Sequence, residues 1–241
     1  KTPNLWMATK TAEIQADDWV LLNVQLTGYY KVNYEKEILL ALIYKLQQDS
    51  ETVPPIHRGQ IFKDFSLQLS DSSIELVYGL ELLSYLENET DKYVWMQFNS
   101  LNDILKDRLF GTSLFAKHIE FITSIMKPHL DRLGFENMVG ETNSDSELRE
   151  VLTALSCSNF NPECLSYQLK KLEASVEKGD ESFNLCDGLR LASEEIFTII
   201  LNRVIKDDPV GSRYGKLFDL GCSLNEKNLE MFFEVMIDDT N

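Results

Sequence analysis

The stretch Glu37-Ile38-Leu39-Leu40-Ala41-Leu42-Ile43-Tyr44-Lys45-Leu46 places Ile38, Leu39, Leu42, Ile43 and Leu46 on one stripe at the period of a helix. Working outward, Pro54-Pro55 opens a second helix through Ile56, Ile61, Phe62 and Phe65, with proline in its favoured first turn. Asp71-Ser72-Ser73 is expected to cap a third, whose buried face is Ile74, Val77, Leu80 and Leu83. The same periodicity predicts helices over 91–110, 113–133, 145–156, 162–178, 182–190, 193–206, 211–221 and 225–237, separated by short breaks such as Gly134, Gly140, Gly179 and Asp208-Pro209. Medium helices on short loops favour antiparallel neighbours, so the expected fold is mostly α, an α-solenoid-like array. No fixed-period repeat supports it; the expectation rests on helix length alone.

Before Glu37 the pattern differs. Leu5 to Ile14 partly alternates, Trp19-Val-Leu-Leu-Asn-Val-Gln-Leu26 reads as a strand, and Thr27-Gly28 turns the chain into the alternating run Tyr29 to Tyr34. A few β-strands are therefore predicted ahead of the helices, with residues 1–36 as terminal strands of another domain or a linker and 37–241 as the helical domain. Two or three strands alone are marginal in water and need a sheet or helices to pack on.

At 241 residues and 44% hydrophobic content the chain can build a real core. A net charge of −16 without a basic cluster excludes nucleic acid as a partner and disfavours anionic membrane surfaces. No apolar run reaches the length of a membrane span, and Lys1-Thr-Pro-Asn does not read as a signal peptide.

Cys157 and Cys164 lie seven apart, Cys186 and Cys222 thirty-six apart. An even count with one short and one long interval suits two disulfides in an oxidising compartment, but four cysteines permit three pairings. Four buried thiols are the plain alternative. A structural zinc site is disfavoured, because no C-x2-C pair exists and His57, His118 and His129 are distant in sequence. Asn88-Glu89-Thr90 is an N-glycan acceptor if the chain enters the secretory pathway; otherwise it is a solvated turn.

Signatures of catalysis are missing: the sequence has no H-E-x-x-H, G-x-S-x-G, Walker or G-x-G-x-x-G motif. Asp17-Asp18, Asp207-Asp208 and Asp238-Asp239 lack the alternation of a calcium loop and read as caps and turns. His57 and Arg58, at a helix start, read as structural or surface hydrogen-bonding groups before they read as a ligand contact.

Trp19-Val-Leu-Leu-Asn-Val-Gln-Leu-Thr-Gly-Tyr-Tyr-Lys-Val-Asn-Tyr-Glu35 resembles the segment joining the small β-sandwich to the helical C-terminal domain of zinc aminopeptidases of the aminopeptidase N family. Pro55-Ile-His-Arg-Gly-Gln-Ile-Phe-Lys-Asp64 is similar to that family's early helix, and Tyr85-Leu-Glu-Asn-Glu-Thr-Asp-Lys-Tyr-Val-Trp95 to its tyrosine-leucine to tryptophan stretch. The cysteine intervals resemble two disulfides of the extracellular members, which implies the pairing 157–164 with 186–222. The chain departs at Lys31 for arginine, Gly59 for alanine, Phe65 for a small residue and Val94 for proline. Lysine does not reproduce a bidentate guanidinium contact, so the departures suggest a divergent member.

The resemblance implies an armadillo/HEAT-like bowl that closes over a peptide-substrate chamber, non-catalytic itself, with zinc in a catalytic domain outside this chain and no cofactor or catalytic residue within it. Peptide substrates, that catalytic domain, and a protein ligand or dimer contact are the implied partners. The implied location is the extracellular face of the plasma membrane, or the secretory lumen. The chain is expected to stop short of the bowl's last helices, leaving an apolar face near Leu229, Phe232, Phe233 and Met236. The alternative is a non-catalytic binding module of a membrane-tethered receptor or pseudo-enzyme. The acidic balance suits attraction of basic peptides, or simply solubility.

Overall fold

The structure, a computed structural model, describes residues 8–15, 19–71, 75–179, 185–206 and 216–237. These form α1 (Lys36–Asp49), α2 (Pro55–Ser70), α3 (Leu76–Leu83), α4 (Lys92–Leu109), α5 (Phe115–Leu133), α6 (Asn143–Ser158), α7 (Pro162–Lys178), α8 (Leu185–Leu189) and α9 (Glu194–Lys206). Residues 216–220 are helical, and a further helix spans Glu226–Ile237. The helical expectation holds throughout the described residues. The chain divides into two compact units, Lys1–Arg108 and Leu109–Asn241.

In the first unit, Leu39, Leu42, Ile43 and Leu46 are buried as the α1 stripe requires, and Phe62, Phe65, Leu82 and Trp95 are buried as well. In α2 even the polar residues His57, Arg58, Gln60, Asp64, Ser66 and Gln68 are buried. Such a helix needs hydrogen-bonding partners on its polar side. The predicted face of α3 is corrected. Leu83 is buried as expected, but Val77 and Leu80 are exposed, and Tyr78, Gly79 and Leu82 are buried in their place. A side-chain carbon on Gly79 would lie 2.9 Å from the Phe65 ring, so the missing side chain there lets the helix pack tightly on Phe65. Ser72, Ser73 and Ile74 of the expected cap lie outside the described residues.

The predicted strands are also corrected: among the described residues no strand forms. Trp19 to Leu26 ends in a 3-10 turn at Val24–Leu26, with Asn23, Gln25 and Leu26 at φ 54°, 62° and 52°. The Asn23 side chain accepts from the Gly28 N–H at 2.8 Å and donates to the carbonyls of Gly28 and Tyr30 at 3.0 and 3.3 Å. One amide thus takes backbone groups that a ladder would use. The alternation in 31–35 is nevertheless real. Val32 and Tyr34 are buried while Lys31, Asn33 and Glu35 are exposed, but the segment lies along α2, a helix, and not beside another strand. Leu5 to Met7 fall outside the described residues.

In the second unit Leu172, Leu189, Phe197, Ile200, Val204 and Phe232 belong to one core. The turn between α6 and α7 carries Phe160 at φ 59°, in the left-handed region usually given to glycine. Its N–H reaches the Cys157 carbonyl at 3.0 Å and that of Asn161 reaches the Ser156 carbonyl at 3.1 Å, which closes the end of α6. Asn161 then caps α7 through the Cys164 N–H at 3.0 Å. Of the apolar positions expected to be uncovered, Phe233 and Met236 are exposed, Leu229 is half-buried and Phe232 is buried in the core.

Candidate functional site

Both helical stretches quoted above for their resemblance meet at one ion pair. Arg58 leaves the first turn of α2 with its Nε 2.7 Å from Glu89 Oε2 and its Nη2 2.9 Å from Oε1. Its Nη1 donates to the carbonyls of Val53 at 2.7 Å and Ser50 at 3.2 Å, which ties the α1–α2 connection to the same cation. Glu89 follows the 3-10 turn Ser84–Asn88 and also accepts from Tyr85 Oη at 3.3 Å and the Asp91 N–H at 2.8 Å. Trp95 Nε1 donates to the Glu89 carbonyl at 2.9 Å, and its ring meets Phe98 edge-on. Burial works to lower the Arg58 pKa, but the Glu89 hydrogen bond and charge outweigh it and hold the guanidinium above its ordinary value. Burial, followed by the Glu89 charge, pushes the Tyr85 hydroxyl well up.

The third quoted stretch docks on α2 as well. Asp64 Oδ1 accepts from the Val32 N–H at 3.4 Å and Oδ2 from Gln60 Nε2 at 3.2 Å, while Gln68 donates to the Tyr34 carbonyl at 3.2 Å. His57 Nε2 accepts from the Gln25 N–H at 3.3 Å, and Tyr34 Oη accepts from the Leu22 N–H at 3.1 Å. His57 and Arg58 therefore serve as structural hydrogen-bonding groups. Periodicity could not reveal this, since polar residues on a buried helix face carry no apolar signal. Departure Gly59 also gains a reason, because a side-chain carbon there would stand 2.5 Å from the Tyr93 ring.

The second unit carries a cleft of about 460 Å³ lined by Phe135, Arg149, Thr153, Tyr167, Lys171 and Asp187 among others. The Phe135 and Tyr167 rings stack at 5.5 Å, and the Lys171 ammonium lies 5.3 Å from the Tyr167 centroid. Arg149 is buried and forms an ion pair with Glu141, while its Nε donates to the Leu133 carbonyl at 3.0 Å. That pairing holds the Glu141 carboxyl below its usual range. The cleft thus offers an aromatic wall and mixed charge, with its strongest cation already neutralised.

Cys157 is joined to Cys164 and Cys186 to Cys222, each pair with Cα atoms 5.2 Å apart. Both bonds lie in the second unit, and Cys157, Cys164 and Leu165 form a small core of their own. Asn88 lies far from them in sequence, in the first unit, and its side chain is exposed. No group of three or more His, Cys, Asp or Glu among the described residues could hold a metal ion. His57 stands on α2, while His118 and His129 share α5 with about 16 Å of helix between them, so the imidazoles do not fit a zinc centre.

A family profile for the ERAP1-like C-terminal domain matches residues 19–241. The chain belongs to the ERAP1-like C-terminal domain family. Relatives of this ERAP1-like domain agree. Aminopeptidase N of Plutella xylostella is 25% identical over 237 residues, 95% of this chain and 25% of the relative. Aminopeptidase Q of Homo sapiens is 26% identical over 244 residues, 91% of this chain and 24% of the relative. Aminopeptidase N of Bos taurus is 30% identical over 157 residues, 62% of this chain and 16% of the relative. The ERAP1-like domain spans about a quarter of the length of the first two relatives, and its fold is that of a C-terminal domain in aminopeptidase N family proteins.

Proposed function

We propose that this chain is the non-catalytic C-terminal domain of a secretory-pathway or cell-surface zinc aminopeptidase and encloses its peptide-substrate chamber. The observation that carries the reading is the family match across residues 19–241, joined to relatives named as aminopeptidases. In this reading zinc and the catalytic groups belong to another domain of the same protein, since the donors described in this chain do not fit the metal, and no chemical step is assigned here. In this reading residues 1–36 are the linker from a preceding domain, and 37–241 build a solenoid-like, bowl-shaped wall. Such a wall acts by restricting access and excluding water, and its movement would govern turnover.

Two disulfides and an exposed Asn88 in an Asn-x-Thr tripeptide support an oxidising compartment and a glycan at Asn88. No described helix is long and apolar enough to cross a membrane, so an anchor would lie elsewhere in the protein. The reading is tested on the full-length protein by zinc content and by release of amino-terminal residues from peptides of graded length. Stoichiometric zinc, cleavage, and a length preference lost on opening the disulfides are the expected results. Zinc bound by the 241-residue chain itself would overturn the assignment.

A further inference from the structure

The acceptor tripeptide at Asn88 shares its middle residue with the buried ion pair of the first unit. Asn88 and Thr90, the two residues a glycosyl-transferring enzyme must read, are exposed. Glu89 between them is 1% exposed. Every polar group of that middle residue is spent inward. Its N–H donates to the Leu86 carbonyl at 3.0 Å, and its carbonyl accepts from the Trp95 indole at 2.9 Å. Its carboxylate holds Arg58 at 2.7 and 2.9 Å, Tyr85 at 3.3 Å and the Asp91 N–H at 2.8 Å. An oligosaccharyltransferase needs the Asn amide and the Thr hydroxyl seated together in its own groove, with the backbone drawn off the protein surface. Here Asn88 ends the turn Ser84–Asn88 and Asp91 opens α4 by accepting from the Tyr93 N–H at 2.8 Å. Lifting the tripeptide therefore strands a buried guanidinium, a buried carboxylate and an indole N–H at once.

We propose that Asn88 is an acceptor with a closing window: it takes its glycan only while Arg58 has not reached Glu89, and the folded protein is refractory. In the transfer Asn88 Nδ2 bonds to C1 of a polyprenyl-pyrophosphate-linked oligosaccharide. The C1–O bond breaks, the amide gives up one proton, and the polyprenyl pyrophosphate leaves. Arg58 precedes Glu89 by thirty-one residues, and both belong to the first unit. The window closes by a local event, without waiting for the disulfides of the second unit. The occurrence of the glycan in the cell rests on the compartment reading above; the refractory state of the folded chain does not.

The test compares the unglycosylated full chain, folded, with a synthetic peptide spanning residues 84–95. Each is given purified oligosaccharyltransferase and lipid-linked oligosaccharide, and glycan at Asn88 is read by mass spectrometry. The peptide is expected to accept at least about a hundredfold faster than the folded chain. Glu89→Gln keeps the Asn-x-Thr pattern while removing the charge, and Arg58→Met leaves the tripeptide untouched. Each is expected to raise transfer to the full chain by about tenfold or more. Circular dichroism reports whether Glu89→Gln stays folded, so that a gain in a folded variant is assigned to the freed tripeptide. Equal rates for peptide and folded chain, a peptide that takes no glycan, or variants no faster than the parent would each overturn the proposal. If the same rate pattern is found but protein from its natural source carries no glycan, the window stands and the compartment reading alone fails.

Discussion

Arg58 and Glu89, thirty-one residues apart, meet through two hydrogen bonds of 2.7 and 2.9 Å with their side chains 2% and 0% exposed. Removing one partner leaves the other charge buried and unpaired, which costs about 3–5 kcal/mol. Arg58→Met is therefore expected to lower unfolding free energy by about 3 kcal/mol or more in urea titrations followed by tryptophan fluorescence. A loss below about 1 kcal/mol would mean that the pair is solvated in solution.

Gly59 reverses the usual helix preference. Alanine favours a helix interior over glycine by about 1 kcal/mol, yet its Cβ would meet the Tyr93 ring at 2.5 Å and Gln97 Cγ at 3.1 Å. Gly59→Ala alone is expected to destabilise the chain by about 1 kcal/mol or more. In a Tyr93→Ala background the same change becomes neutral or stabilising. A double-mutant cycle in chemical denaturation checks this, and simple additivity would remove the ring from the explanation.

Asp64 in the first unit and Glu141 and Asp145 in the second answer acid in opposite senses. Burial raises the Asp64 carboxyl above its ordinary value, against the pull of Gln60 and the Val32 N–H. The folded chain then binds that proton more tightly than the unfolded chain. This contribution is full below the unfolded value of about 3.9 and is lost as pH rises through the folded value. Asp64→Asn should flatten that part of the pH dependence. In the second unit Arg149 lowers Glu141, and Arg132 with Thr142 lowers Asp145. Their contribution is present above the unfolded values and disappears as pH falls through the folded ones. Urea midpoints of parent and Asp64→Asn chains across pH 3–7, the range about these carboxyl values, give the measurement. Parallel curves would rule out Asp64 as a source.

Opening the disulfides should unfold the second unit while the first stays folded. In the chain-entropy description the loop closed by Cys186–Cys222 is worth about 4 kcal/mol and that closed by Cys157–Cys164 about 2.5. The double substitution C186S/C222S is therefore expected to cost more than C157S/C164S. Trp6, Trp19 and Trp95 all precede Leu109, so tryptophan fluorescence follows the first unit only. Reduction is expected to lower helical circular dichroism with little change in tryptophan emission. A simultaneous loss of both signals would show that the units unfold together.

The helices were legible because their stripes are apolar and regular; the predicted 162–178 and observed Pro162–Lys178 coincide. The third helix shows the limit. Its Ile74-Val77-Leu80-Leu83 spacing fits a helix as well as the real face does, and tertiary packing, with Gly79 close on Phe65 and Tyr78 and Leu82 buried, separates them. The strands failed for another reason. Alternation from Lys31 to Glu35 was read correctly as burial of every second residue, but alternation does not say what lies opposite, and Asp64 and Gln68 of a helix took the backbone groups. Glu89 was invisible as a hub, since one acid in the polar run Glu87-Asn88-Glu89-Thr90-Asp91 has no periodic mark. Its role follows only from the cation brought to it by α2.

Because Glu89 lies between two exposed neighbours, the tripeptide divides into one position under folding constraint and two free of it. If the proposed acceptor is used, lineages can discard the sugar attachment by drifting at 88 or 90 without disturbing the core, and can regain it by a single codon change. The acid between them is expected to persist through such gains and losses, so sugar and scaffold evolve at different tempos on adjacent residues.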